Sequence, residues 1–205
     1  MPRTLVIDTA TAACSVALIE NGRALAADHQ VVGRGHAERL VPMIAGLPDG
    51  GRADAILVDV GPGSFTGIRV GIAAARALAL GWGVTVSGYS SMSLLAAAAL
   101  ADGIAAPLTV VLEGGHGEVF MQGFTAAPLA VADPLVSLRP EAALAALAGR
   151  PAVGNGVRWL SAPDEALALH EALPEAARAH LLPSALATLP PRPLYGRAPD
   201  AKLPS

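Results

Sequence analysis

Charge is scarce in this chain, and the scarcity narrows the kinds of partner that fit it. Charged residues make up 15% of the 205 residues, well below the usual quarter, while hydrophobic residues make up 53%. A surface with so little charge leaves room for a sizeable apolar patch, which favours a protein partner. The net charge is −3 and no basic run is present, which argues against nucleic acid as the main direct ligand.

Disulfides and membrane segments are missing as well. Cys14 is the only cysteine, so an intrachain disulfide is excluded, and we interpret Cys14 as a small buried strand residue. The most apolar region, residues 94–112, contains Asp102 and Pro107 and is therefore no membrane span. Asp8 interrupts the N-terminal apolar stretch, which excludes a signal peptide. These absences predict a soluble, cytoplasmic protein without a membrane partner.

Apolar runs and turn signals predict the order of the elements in the first half. Three strands are expected first, and Asn21-Gly22 between the second and third is a two-residue hairpin signal. Helix, strand, helix, strand and helix follow, which predicts a mixed sheet with helices on both faces. The strands are expected at residues 4–8, 15–20, 23–27, 55–60 and 84–87, and the helices at 35–44, 66–80 and 90–101.

The second half predicts a smaller lobe. Two strands are joined across a glycine-rich turn, and a helix, a short strand and a further helix follow. The expected ranges are 108–112, 118–124, 140–148, 152–153 and 163–173. We divide the chain into a first lobe at 1–102, a second lobe at 103–189 and a proline-rich tail at 190–205. The tail should be extended, and ordered only if it docks.

The most informative stretch is GPGSFTG at residues 61–67, between a predicted strand and a predicted helix. Its glycines allow a tight turn, and Ser64 or Thr66 can cap the helix. Such a turn is often an anion site, because the first free amides and the positive helix end point outward. It lacks the Gly-Lys-Ser/Thr ending of a phosphate loop and the spacing of a dinucleotide loop.

With DTATAACSVAL at residues 8–18, this turn resembles the TsaB (YeaZ) family. Three later pieces agree with the resemblance: GYSS at 88–91, VGNG at 153–156 and PLYGR at 193–197. The resemblance implies an α/β, actin-like fold of two ribonuclease-H-like lobes with a reduced second lobe. It also implies a non-catalytic subunit in the threonylcarbamoylation of adenosine 37 in tRNA.

Partners follow from the same resemblance. The family member pairs with its paralogue, the transferase TsaD, helps recruit the ATPase TsaE, forms a homodimer when alone, and meets tRNA only through the complex. ATP and metal belong to the partner proteins, so no cofactor is expected for this chain. First-lobe helices make the family's contact, which implies an interface of Leu40, Met43, Ile44, Gly67, Ile68, Val70, Gly71 and Ala74, with Arg39 and Arg69 at its rim.

The spacing of small residues on the long helix is also compatible with a subunit interface, although it has a second explanation. Gly67, Gly71 and Ala75 recur every four residues, so one helix face is nearly flat and allows another backbone to come close. A subunit interface would use such a face. Packing on the chain's own sheet would use it equally well.

Two positions depart from the family pattern. The family often has Asp-Ala-Arg, two variable residues and Glu-Val-Tyr, whereas residues 113–120 here are EGGHGEVF. Gly196 stands where family members usually have leucine. Within the departing stretch, Glu113, His116 and Glu118 form a compact cluster that could hold a metal, although exposed hairpin loops commonly carry such residues.

A phosphotransferase is one catalytic alternative. In actin-like phosphotransferases, an aspartate at the end of the first strand handles Mg²⁺ and phosphate, which is the position of Asp8 here. The corresponding vestigial site for a weakly bound nucleotide would consist of Asp8, Thr9, Thr11, Gly61, Gly63 and Ser64. The other interpretation is that Asp8 and Thr9 cap turn amides.

A metallopeptidase related to the M22 glycoproteases is the second alternative. The catalytic paralogue holds its metal through a His-x-x-x-His pair. Alignment on residues 94–96 puts Tyr89 and Ser93 at those two positions, and neither is a good ligand for a divalent metal. His36 cannot replace the pair, because Leu40 follows four residues later. We therefore expect neither a metal site nor catalytic residues.

Overall fold

An antiparallel hairpin and a preceding strand open the chain in the computed structural model, which describes residues 2–161 and 167–197. The three strands are β1 (Arg3–Asp8), β2 (Ala13–Glu20) and β3 (Arg23–Val31). Asn21 and Gly22 have φ angles of 55° and 69°, as the two central residues of a tight hairpin turn require. The predicted hairpin is confirmed, and β3 extends four residues beyond its expected end.

The first sheet is completed by two parallel strands that follow helices. Its order is β3-β2-β1-β4-β5, with β4 (Ala55–Asp59) and β5 (Thr85–Tyr89) parallel to β1. The helices between them are α1 (His36–Ala45) and α2 (Phe65–Trp82). Both cover one face of the sheet and share one core, whose members include Leu5, Ile7, Val16, Leu40, Ile44, Ile56, Val58, Ile68 and Ile72.

Helix α3 (Ser91–Ala101) lies between the two halves of the molecule. One side packs with the opposite face of the first sheet, where Leu94 and Ala97 join Val6 and Ala17. The other side packs on the second sheet, and this core includes Met92, Leu95, Ala99, Leu108, Val110 and Phe124. Because no side of α3 is left for solvent, its apolar residues show no amphipathic pattern.

The second sheet has six strands, four of them only two or three residues long, in the order β11-β10-β6-β7-β8, with β9 also paired to β7. Its strands are β6 (Leu108–Gly115), β7 (Glu118–Thr125), β8 (Ala130–Val131), β9 (Val136–Leu138), β10 (Ala152–Val153) and β11 (Leu169–His170). Helix α4 (Pro140–Leu147) packs on the face away from α3 through Ala143 and Leu147. The result is the mixed α/β fold that the element order predicts, and its two sheets agree with the actin-like fold that the family resemblance implies.

One predicted helix is wrong in the part that the structure describes. Residues 167–173 contain the short strand β11 in place of a helix, because the chain pairs with β10 there. Residues 163–166 of that prediction lie outside the described residues. The division into lobes at residue 102 and the tail from 190 stays a prediction. Among the described residues, no helix is long and apolar enough to cross a membrane.

Candidate functional site

The turn between β4 and α2 begins the long helix as predicted. Ser64 is the N-cap, and its Oγ accepts a hydrogen bond from the amide of Gly67 at 3.2 Å. The amide of Ser64 donates in turn to the carbonyl of Ala10 at 2.6 Å. These amides at the start of α2 are therefore satisfied from within the chain.

The glycines of this turn allow it to lie directly against the loop at residues 9–12. A Cβ atom at Gly63 would overlap the carbonyl oxygen of Ala10, and one at Gly67 would overlap that of Thr9. Gly63 also has a φ angle of 159°, close to the limit of the left-handed region. The loop at residues 9–12 thus fills the space in front of the turn, where an anion would otherwise lie.

The hydroxyl groups expected to line a nucleotide site are used internally. Thr9 is buried and its Oγ1 donates to the carbonyl of Gly67 at 2.8 Å. Thr11 is buried as well, and its Oγ1 accepts from the amide of Ala13 at 3.3 Å. Thr11 thus caps a local turn amide, whereas Thr9, which was interpreted as such a cap, donates instead to a carbonyl 58 residues further along the chain.

Two buried carboxyl groups lie side by side at the carboxyl ends of β1 and β4. Asp8 follows Ile7 and Asp59 follows Val58, and these preceding residues are register partners in the parallel pair. Both aspartates are fully buried. Sequence reasoning missed Asp59, which lies inside the strand predicted at residues 55–60, although a charged residue within an apolar strand is itself a signal.

Hydrogen bonds are divided unequally between the two carboxyl groups. Asp59 accepts from the amides of Gly61 at 2.8 Å and Ser91 at 3.0 Å, and from the hydroxyl of Ser91 at 2.6 Å. Asp8 accepts from the Tyr89 hydroxyl at 2.7 Å, and its Oδ1 has no hydrogen-bond donor. Burial raises the pKa of Asp8 well above its usual value and that of Asp59 to about 6.

Tyr89 occupies the position predicted for a lost metal ligand. Its hydroxyl is buried against Asp8, and burial, followed by the two nearby carboxyl groups, raises its pKa well above the usual value. Ser93 is buried on α3. Cys14 is buried in β2 as predicted, and burial raises the pKa of its thiol to about 11.

Two surface cavities lie away from this carboxyl pair. One of about 510 Å³ is lined by residues that include Arg3, Asp49 and Trp82. The other, of about 660 Å³, is lined by residues that include Leu95 of α3 and Arg178. Neither cavity is lined by Asp8, Asp59 or the GPGSFTG turn, and both carboxyl groups are fully buried.

Glu113 and Glu118, two members of the predicted metal-binding cluster, bond to different residues. The Glu113 carboxylate accepts from Trp159 Nε1 at 3.2 Å and from Asn155 Nδ2 at 3.3 Å. The Glu118 carboxylate accepts from the Ser137 hydroxyl at 2.7 Å. Within residues 2–161 and 167–197, no group of three His, Cys, Asp or Glu side chains is placed to hold a metal ion.

Helix α2 presents its flat face to the interior, which corrects the predicted interface. A Cβ atom at Gly71 would already overlap Thr9 Oγ1, and Ala75 is fully buried. Packing on the chain's own sheet is therefore the use of this face. The predicted interface residues that lie in the interior are Leu40, Met43, Ile44, Gly67, Ile68 and Gly71.

The outward face of α1 and α2 is apolar and nearly free of negative charge. Leu80 is 87% exposed and Val41 is 62% exposed. Ala73 and Ala77 are exposed on α2 close to Arg69 and Arg76, and α2 contains no acidic residue. Of the predicted interface residues, Arg69 is exposed while Val70 and Ala74 are half-buried, so these three border the outward face.

The PLYGR motif forms a strap that crosses from the first sheet to the second. The amide of Leu194 donates to the carbonyl of Val60 at 2.8 Å. The ring of Tyr195 stacks on that of Phe65 with 5.4 Å between ring centroids, and its hydroxyl accepts from Arg69 Nε at 3.0 Å. The Arg69 guanidinium lies 3.5 Å from the centre of the Phe65 ring.

At its far end the strap contacts the second lobe. Gly196 lies against Phe120, where an added Cβ atom would come within 2.5 Å of the ring. Arg197 pairs with Glu118 at 3.5 Å. Phe120, which stands where the family often has tyrosine, and Gly196, which stands where it usually has leucine, are therefore in contact. Residues 190–197 dock, and residues 198–205 of the predicted tail lie outside the described residues.

Comparisons with known proteins find similarity to one group of bacterial proteins. Residues 29–128 match the family model for TsaD, tRNA N6-adenosine threonylcarbamoyltransferase. The chain is 37% identical over 123 residues to the tRNA threonylcarbamoyladenosine biosynthesis protein TsaB of Escherichia coli, an alignment that covers 58% of this chain and 53% of that protein. The chain thus spans about half the length of the curated relatives it matches.

Two solved structures are similar over most of the chain. One is described as YeaZ from Pseudomonas aeruginosa, with 31% identity, a TM-score of 0.76, and 89% of this chain and 90% of that chain covered. The other is an uncharacterized protein with similarity to peptidase YEAZ from the same organism. It has 30% identity and a TM-score of 0.79, and the match covers 96% of this chain and all of that chain.

Proposed function

This chain belongs to the TsaB (YeaZ) family, and on that premise we propose that it is a non-catalytic scaffold subunit for threonylcarbamoylation of adenosine in tRNA. The observation that carries the proposal is the closed site at the carboxyl ends of β1 and β4. Asp8, Thr9 and Thr11 are buried and bonded within the chain, and the exposed Ser64 hydroxyl accepts from the Gly67 amide. A substrate phosphate would have to displace the loop at residues 9–12.

The scaffold role needs a surface for the transferase TsaD, and we assign it to the outward face of α1 and α2. The match to the TsaD family model, residues 29–128, includes both helices. Two paralogues with the same helix pair can meet in a two-fold-like contact, and a homodimer can use the same contact when the chain is alone. Burial of exposed apolar side chains such as Leu80 and Val41 would stabilise the pair.

The charged residues exposed on α1 and α2 are Glu38, Arg39, Arg69 and Arg76, so positive charge is in excess there. Arg69 and Arg76 also bond to Tyr195 and Pro191 within the chain. A partner helix with carboxylates beside its apolar residues would be complementary to this face. A basic partner would place its positive charges next to Arg69 and Arg76. This repulsion would disfavour wrong partners and so make the contact specific.

The remaining parts of the proposal follow the family. The paired proteins help to recruit the ATPase TsaE and meet tRNA as a complex in the cytoplasm. This chain binds no cofactor of its own, and ATP and metal are bound by its partners. Its net charge of −3 fits a role in which other subunits supply most phosphate contacts.

A reconstitution assay tests this function. Threonylcarbamoyladenosine on tRNA is measured with a threonylcarbamoyl donor supplied and with TsaD and TsaE of the same organism, with this chain omitted or added. We expect product formation to require the chain, and the chain without TsaD to form none. Product formation by TsaD and TsaE at an unchanged rate without the chain would contradict a scaffold role. Turnover of Mg·ATP by the isolated chain would favour a phosphotransferase.

A further inference from the structure

The Asp8 and Asp59 carboxyl groups are too close and too dry to be ionised together. Both side chains are fully buried, and they approach within hydrogen-bonding reach of each other. No arginine, lysine or histidine forms an ion pair with either carboxyl within the described residues. Two like charges in a low-dielectric interior disfavour each other strongly, so a proton on one of them lowers the energy of the pair.

The hydrogen-bond donors indicate which carboxyl is ionised. Asp59 accepts three hydrogen bonds, from Gly61 and twice from Ser91, and such donors stabilise a carboxylate. Asp8 accepts one such bond, from Tyr89; the Ala10 amide also lies near this carboxyl and lowers its pKa, but Oδ1 has no well-formed hydrogen bond. An unpartnered buried oxygen is costly as an acceptor. It is satisfied if it carries a proton and donates to Asp59.

The groups around the pair do not offer another compensating charge. Tyr89 faces it from β5 and Cys14 from β2, and burial raises the pKa of both, so both are neutral. From α3 the pair meets the hydroxyl and amide of Ser91. The nearby helix at Ala176–Leu181 contributes an amide to Ser15.

We propose that Asp8 is a neutral carboxylic acid at neutral pH that donates its proton to an ionised Asp59. This bound proton, together with the Tyr89 hydroxyl, takes the place of a cation at the carboxyl ends of β1 and β4. It holds the two strands and the start of α3 together without Mg²⁺, and it leaves no carboxylate oxygen available for a metal-bound phosphate. The inference does not depend on the proposed scaffold function.

Matched asparagine variants distinguish the two carboxyl groups. In Asp8→Asn, the side-chain amide can donate to Asp59 and the side-chain carbonyl can accept from Tyr89, so the site keeps its bonds without a proton. In Asp59→Asn, an NH₂ group replaces one oxygen and meets the donors of Gly61 or Ser91. We therefore expect Asp8→Asn to be tolerated and Asp59→Asn to be destabilised at every pH.

A protonated Asp8 makes the stability of the folded protein depend on pH in a definite direction. An aspartate whose pKa is raised in the folded state keeps a proton that the unfolded state loses, so stability falls as pH rises. From pH 6 to 8 the folding equilibrium constant of the wild type should fall by up to about tenfold per pH unit relative to Asp8→Asn. At pH 8 Asp8→Asn should be the more stable protein. Glu141→Gln, at an exposed carboxylate, is the control and should parallel the wild type.

Infrared spectroscopy of the wild type provides a readout that does not depend on any variant folding. A protonated-carboxyl carbonyl band at pH 7, absent from Asp8→Asn and present in Glu141→Gln, is the expected result. Addition of Mg²⁺, Mg·ATP or a chelator should leave the midpoint of unfolding unchanged. The proposal is overturned if the wild type has no such band at pH 7, or if a chelator destabilises it and Mg²⁺ restores it.

Discussion

The two faces of α2 have similar residues and different uses. On the inner face Gly67, Gly71 and Ala75 lie against the loop at residues 9–12 and the first sheet, with no room for an added carbon at either glycine. On the outer face Ala73 and Ala77 are exposed. Small residues at helical spacing thus indicate that something comes close without indicating what it is. The inner face builds the fold, and the outer face remains for a partner.

The largest effect is expected from bulk on the inner face. Gly71→Arg should prevent folding or lower the free energy of unfolding by about 3 kcal/mol or more, because the new side chain meets Thr9, Ile7 and Val58. Urea unfolding of the soluble fraction measures the loss. A well-folded Gly71→Arg protein that fails only to pair would reverse the assignment of the two faces.

The same residue on the outer face should separate pairing from folding. We expect Ala73→Arg to change the free energy of unfolding by less than about 0.5 kcal/mol, because the side chain points into solvent. Its affinity for TsaD should fall at least tenfold, since bulk and charge would enter an apolar contact. Titration calorimetry against TsaD measures the affinity, with Arg23→Ala on the distant hairpin as a control. Unchanged affinity would exclude Ala73 from the interface.

The contact between Gly196 and Phe120 tests whether the strap joins the two lobes. Gly196→Ala should lower the free energy of unfolding by about 1 kcal/mol, because the new methyl group overlaps the Phe120 ring and the strap must shift. Combined with Phe120→Leu, the same change should cost less than it does alone. Additive losses in thermal unfolding would mean that the two residues do not share this contact.

Removal of the Tyr195 ring should have the smallest effect. Tyr195→Ala loses the stack on Phe65 and the bond from Arg69, both at the surface, and should lower the free energy of unfolding by roughly 0.5 to 1 kcal/mol. Tyr195→Phe, which keeps the stack, should retain most of that stability. If both variants lose the same amount, the hydroxyl rather than the ring stabilises the strap.

Local patterns in the sequence were sufficient to predict most elements of the fold. Asn21-Gly22 specifies its turn through backbone conformation, and Ser64 caps α2, because both depend on neighbours along the chain. The orientation of α2 was not predictable from spacing, since glycine is compatible with either face. The inward-facing side of α2 is identified by the close approach of Gly71 to Thr9, a residue 62 positions earlier in the chain.

The site shows the same limit. Asp8 was identified as a candidate by its place at the end of a strand, and Tyr89 by alignment to a lost ligand position. The hydrogen bond between them joins residues 81 positions apart. The pairing of Asp59 with Asp8 and the stacking of Tyr195 on Phe65 gave no periodic signal in the sequence. The two residues of each pair are far apart in the sequence and meet only in the folded chain.

Light scattering behind size exclusion tests the central claim most directly. The chain and its Ala73→Arg variant are each measured alone and mixed with TsaD of the same organism. We predict that the wild type forms a homodimer alone and a one-to-one complex in the mixture, while folded Ala73→Arg remains monomeric in both. A wild-type chain that leaves TsaD unbound, or an Ala73→Arg variant that pairs as the wild type does, would contradict the account.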